Sequence, residues 1–170
     1  MQKGFATLEI IFLVLIISIL TTVAVPQASR LVEKISLDYE QKRLYSELKY
    51  CQTLSRSDSV NDVGMSGALP AVQSTAAVMH FIGGRSYEIQ RSNKPIRKRY
   101  KLSNGVTFSL NNNGNFRIQF IDENKYRING SNISGERTIV LKPKVTRDNQ
   151  TVPTIVFDSV GRIRGGQRTL

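Results

Sequence analysis

Cysteine and histidine occur once each in this 170-residue chain, as Cys51 and His80. One cysteine excludes an internal disulfide, and one cysteine with one histidine makes no protein-only zinc site. Acids are also scarce, with 13 against 24 lysines and arginines and a formal charge of +11. They spread over helix faces and turns rather than pairing in a cleft. No Ser/His/Asp or Cys/His set assembles, and no glycine-rich phosphate loop follows a strand. The sequence therefore predicts neither an enzyme nor a bound cofactor or metal. The charge imbalance predicts partners of opposite sign: DNA, phospholipid headgroups, an anionic wall polymer or acidic neighbours in an assembly. A basic composition shared by a whole lineage would look the same.

Against these scarcities stands one long hydrophobic run. Residues 10–20 are all apolar except Ser18, and Thr21, Thr22, Val23, Ala24 and Val25 carry the run to Pro26. Counted from Phe5, it matches the roughly 20 residues that a helix needs to cross a bilayer core. Glu9 lies one turn inside it, where an ionised carboxylate costs several kcal/mol unless it is paired or near the interface. A secretory signal peptide fits poorly. Only Lys3 precedes the run, the core is long for such a signal, and Ala24-Val25-Pro26 is a poor cleavage site. A plain anchor explains the length but not Glu9. A third reading removes the leader, residues 1–4, by a cut after Gly4, which makes Phe5 the new amino terminus.

Gly4, Phe5, Glu9, the apolar residues 10–25 and Pro26, in that order and spacing, resemble the type IV pilin family. The resemblance implies cleavage by a prepilin peptidase and N-methylation of Phe5. It also implies partnership with other pilins or pseudopilins, with membrane lipid and with an inner-membrane assembly platform. In the fibre core, Glu9 of one subunit would neutralise the Phe5 amine of a neighbour, so that two costly charges become tolerable as a pair. Pro26 removes a backbone donor and is expected to kink or loosen the helix during assembly. The implied localisation is single-pass in the inner membrane with an exported head, then in a pilus or pseudopilus. The short N-terminal side with Lys3 agrees with that orientation, although Arg30 and Lys34 weaken the charge asymmetry. Loss of the leader lowers the charge from +11 to +10, because it takes Lys3 with it.

Beyond Pro26, the apolar positions Ala28, Leu31, Val32, Ile35, Leu44, Leu48 and Cys51 recur at helical steps among charged residues. The organisation expected is a leader at 1–4, a transmembrane or fibre-core helix at 5–26, an amphipathic helix at 27–56 and a β-rich head with a basic tail at 57–170. Cys51 on the stripe is expected to act as a buried small hydrophobe. Residues 55–73 are rich in Ser, Asp, Asn and Gly and read as a loop. After them the period changes to two. A hairpin is predicted over 77–82 and 86–90 about Gly83-Gly84, with further strands over 99–102, 106–110, 116–121, 126–128, 137–141 and 153–157. His80 falls alone on a strand. The fold class expected is α+β, a long N-terminal helix packed on a mainly antiparallel β-sheet head.

Two basic clusters remain. The first holds Arg91, Lys94, Arg97, Lys98, Arg99 and Lys101, read as a solvated β-turn stiffened by Pro95 or as an accessory DNA surface. The second is the tail, residues 161–168. In an extended tail Arg162 and Arg164 point the same way and Ile163 points inward. Gly165 and Gly166 let the backbone approach closely or move. A head of helix, hairpin and late Ile-Val-Phe strand followed by Gly-Arg is similar to the minor pilins and pseudopilins grouped as the GspH/FimT family. FimT-like members bind DNA in natural transformation through a Gly-Arg-x-Arg tail, which Gly161-Arg162-Ile163-Arg164 matches. The resemblance thus implies DNA as a partner, with Arg162, Arg164 and Arg168 as contacts and Arg97, Lys98 and Arg99 as accessory ones. Its alternative is a GspH-like type II secretion pseudopilin that serves protein export without binding DNA.

Overall fold

The computed structural model describes residues 3–62, 77–91, 94–103, 105–122, 125–132, 135–159 and 161–170, with the side chains of 3–6, 56–62, 91, 94–98, 122 and 132 outside the description. One helix, α1 (Lys3–Asp62), leads the chain. Among the described residues ten strands follow: β1 (Ala77–Ile82), β2 (Ser86–Arg91), β3 (Lys94–Lys101), β4 (Val106–Leu110), β5 (Phe116–Asp122), β6 (Lys125–Ile128), β7 (Ser131–Asn132), β8 (Arg137–Pro143), β9 (Thr151–Phe157) and β10 (Ile163–Thr169). The chain divides into two compact units, Met1–Ile35 and Ser36–Leu170.

In the first unit the apolar run is helical and exposed on every side, from Leu8 to Val25. It is long and apolar enough to cross a membrane. Its few hydroxyls are satisfied internally: Ser18, Thr21, Thr22 and Ser29 each donate to the carbonyl four residues back, at 2.7 to 3.0 Å. No O–H of these side chains is left to seek a partner in an apolar solvent. The helix continues through Pro26, whose missing N–H withdraws the usual donor from the Thr22 carbonyl.

The second unit is α+β, with the remainder of α1 on two antiparallel sheets. The larger sheet has the order β3-β2-β1-β5-β6-β7 and the smaller β10-β9-β8-β4. Period-two burial runs through β1, β4 and β6, as one core-facing side requires. The buried stripe of α1 is Leu37, Glu40, Leu44, Leu48, Cys51 and Ser55, at steps of three and four. Burying each leucine contributes about 2 kcal/mol. Phe81 of β1 stacks on Phe116 of β5 with centroids 4.2 Å apart, and Phe108 of β4 meets Phe81 edge-on at 4.8 Å, joining the sheets. Close backbone approach completes the join: the Gly84 N–H donates to the Gly114 carbonyl at 2.9 Å. A Cβ on Gly114 would lie 2.8 Å from the Gly84 nitrogen, so only glycine fits there.

Polar anchors fix the helix on both sheets. Ser55 Oγ donates to the Phe120 carbonyl at 3.1 Å and accepts the Ala77 N–H at 3.2 Å. Gln41 Nε2 donates to the carbonyls of Thr154 and Gly166 at 2.8 and 2.9 Å. Glu40, 1% exposed, accepts the Ser103 N–H at 2.8 Å and also its hydroxyl.

Several expectations need correction. The helix ends at Asp62 rather than near 56, and residues 63–73 of the expected loop lie outside the described residues. Ala28, Leu31, Val32 and Ile35 are exposed and belong to the first unit, so the buried stripe begins at Leu37. The basic cluster near 94–101 is an edge strand rather than a turn. There Pro95 is tolerated, because an edge strand leaves one row of N–H groups unpaired.

Candidate functional site

β9 and β10 form a hairpin in register from Phe157 opposite Ile163 to Thr151 opposite Thr169. The turn between them is built on Asp158. Its N–H donates to the Arg162 carbonyl and its own carbonyl accepts the Gly161 N–H, both at 3.1 Å. Its Oδ1 accepts the Arg162 N–H at 2.9 Å. Gly161 has φ of 79°, a left-handed value that favours glycine. From the neighbouring sheet the Tyr126 hydroxyl donates to the Asp158 carbonyl at 3.0 Å. Burial, and then the Asp158 charge, push the Tyr126 hydroxyl above its ordinary pKa, while Arg137 acts against them.

This turn presents the Gly-Arg-x-Arg residues as expected from an extended tail. Ile163 is buried, and Arg162 and Arg164 are 73% and 62% exposed. Both guanidinium groups approach Asp158 Oδ2, at 3.7 and 3.6 Å. Exposed pairs at that distance contribute little, so both cations remain open to a stronger anionic partner. Gln52 Nε2 donates to the Gly161 carbonyl at 3.2 Å and fixes the turn to α1.

Arg168 does not join this pair. It lies four residues along β10 and lines a groove of about 510 Å³ with Arg137, Thr138, Val140 and Lys142 of β8 and Asn112 of the β4–β5 turn. Lys142 Nζ stands 3.5 Å from Asn112 Oδ1. Nothing in the local pattern groups Arg137 and Lys142 with the tail, since β9 separates β8 from β10. The one available signal was the alternation Thr138, Val140, Lys142, which places Lys142 on the face opposite the buried Ile139 and Leu141.

The other expected residues are dispersed. Arg99 of β3 is paired with Glu88 of β2, and the side chains of Arg97 and Lys98 lie outside the described residues. His80 is half-buried on β1, in register with Glu88 and Arg117. Cys51 is fully buried on α1. Glu9 is exposed in the apolar run beside Leu8, Phe12, Leu13 and Ile16, and no described side chain pairs with it. Gly4 and Phe5 are in α1, with the Phe5 side chain outside the description. Among the described residues no group of three or more His, Cys, Asp or Glu could hold a metal. No family model, curated protein or solved structure matches this chain.

Proposed function

We propose that the chain is a minor type IV pilin-like fibre subunit, cut after Gly4 by a prepilin peptidase and assembled with other pilins through its N-terminal helix. Its head binds DNA during uptake through Gly161-Arg162-Ile163-Arg164. The assembly half of this reading is supported by Glu9, an exposed carboxylate inside an apolar helix. An amine on an adjoining subunit would offset its cost. The observation that carries the DNA half is the exposure of Arg162 and Arg164 together over buried Ile163, at the edge of the smaller sheet.

The test is binding of labelled duplex DNA by the full chain in neutral detergent micelles. Affinity should fall steeply with salt, because phosphate contacts release counterions. An Arg162→Gln/Arg164→Gln variant should bind about tenfold more weakly, with a shallower salt dependence. Unchanged affinity in that variant would remove the DNA assignment and leave a GspH-like pseudopilin of protein export. Mass spectrometry of membrane-extracted protein tests the other half: Phe5 should be the amino terminus, and retention of Met1 would defeat the pilin reading.

A further inference from the structure

The outer face of the smaller sheet has a second cationic feature, distinct from the turn. β8 pairs with β9 through Thr138 opposite Val156 and Val140 opposite Thr154. β9 pairs with β10 through Val156 opposite Arg164, Thr154 opposite Gly166 and Val152 opposite Arg168. One face therefore carries Arg164 and Arg168 on the edge strand, small or β-branched residues on the middle strand, and Thr138, Val140 and Lys142 beyond. Gly166 leaves the centre of that edge without a side chain. Val152, opposite Arg168, and Thr154, opposite Gly166, are both buried on this face.

The groove of about 510 Å³ on this face brings Arg168 together with Lys142 and Arg137. Glu136 and the carboxylate of Leu170 are the acidic groups among its described lining residues, outnumbered by the cations of Arg137, Lys142 and Arg168. No aromatic ring is among those residues, which leaves no platform for stacking a base. What it offers is guanidinium, ammonium, amide and hydroxyl donors above an aliphatic floor at Val140, a set suited to phosphate oxygens. From Arg164 to Arg168 the strand advances about 13 Å, a rise of roughly four base pairs.

We infer that this groove holds backbone phosphates of bound DNA, so that nucleic acid gripped at Arg162 and Arg164 is gripped again by Arg168, Lys142 and Arg137. The inference rests on the DNA reading of the turn. Contacts of this kind fix position on the backbone without reading sequence.

The experiment compares three full-length proteins in neutral detergent micelles: the parent, Arg137→Gln/Lys142→Gln and Arg162→Gln/Arg164→Gln. Each is titrated with labelled duplex DNA across a series of salt concentrations. The groove variant should lose about 1.8 from the slope of log affinity against log salt, two phosphates at 0.9 each. Its affinity should fall severalfold for every DNA sequence alike. A groove variant with the parent's slope, while the turn variant is weakened, overturns the groove and leaves the turn reading intact. A parent that binds no DNA removes both. Inorganic phosphate is the second arm. If it binds the parent but not the groove variant at concentrations that leave DNA binding unchanged, the groove is a site for small phosphate esters and the backbone assignment fails. Lys142→Gln alone, compared by circular dichroism and slope, keeps the test decisive if the double variant misfolds. It should lose about 0.9, and an unchanged slope overturns the groove.

Discussion

Arg164 faces Asp158 across the hairpin turn, with a guanidinium nitrogen 3.6 Å from Oδ2. Arg162 approaches the same oxygen, so one carboxylate partly offsets both cations of the Gly-Arg-x-Arg motif. Its other oxygen accepts the Arg162 N–H, which makes Asp158 both a structural brace and an electrostatic brake.

These roles separate in Asp158→Asn. The amide oxygen can still accept the Arg162 N–H, while the negative charge is gone. DNA affinity should rise about two- to fivefold, the scale of exposed ion pairs, with an unchanged circular dichroism spectrum. Fluorescence anisotropy at fixed salt measures this, and a weaker complex would contradict the turn as the contact.

Gln41 is predicted to hold β10 in place. Its Nε2 donates to one carbonyl on each strand of the hairpin, so Gln41→Ala leaves two acceptors with one partner fewer. The expected cost is about 2 kcal/mol, read as a lower midpoint in thermal or denaturant unfolding. Amide exchange should accelerate more in β10 than in β5.

Tyr87 offers a stabilising change. Its ring is buried and its hydroxyl has no hydrogen-bond partner among the described residues. Tyr87→Phe should therefore stabilise the head by about 1 kcal/mol near neutral pH. Burial raises the pKa of this hydroxyl; Arg43 lowers it, while Glu47, Glu40 and Tyr100 add to the rise. The folded head thus holds the neutral phenol more firmly than the unfolded chain does. That contribution is complete below the ordinary tyrosine value of about 10 and is lost as pH rises past it. Unfolding free energies measured from about pH 8 to about pH 11 should fall less steeply for Tyr87→Phe than for the parent.

Glu9→Ala is expected to leave membrane insertion intact, since it makes the apolar run more apolar. Under the pilin reading it should strongly reduce recovery in sheared fibres. Equal recovery of variant and parent would sever Glu9 from assembly.

The strands with clear alternation were legible in the sequence, because a half-buried strand writes its two faces into successive residues. Val106–Leu110 is found at the expected bounds. So are Leu44, Leu48 and Cys51 on the core side of α1. Glu40 was not legible as core: a carboxylate reads as surface until Ser103, sixty-three positions away, supplies its donors. Nor did the period reveal two sheets, since alternation fixes which face is buried but not which strand lies alongside. The exposed arginines around Ile163 followed from local geometry. Their convergence on Asp158 and the separate placement of Arg168 with Lys142 depend on turn shape and strand order, which local pattern does not encode.

Glu40, Gln41, Gln52 and Ser55 attach α1 to the rest of the second unit along some 15 residues, about 22 Å of helix. Tension applied along the helix axis would draw on these tethers side by side, in shear, rather than peeling them open in succession. Extraction of the helix would require several to rupture nearly at once, while the buried leucines between them slide from their sockets. The segment of α1 from Glu40 to Ser55 is therefore held within the second unit most firmly against a pull along its own length.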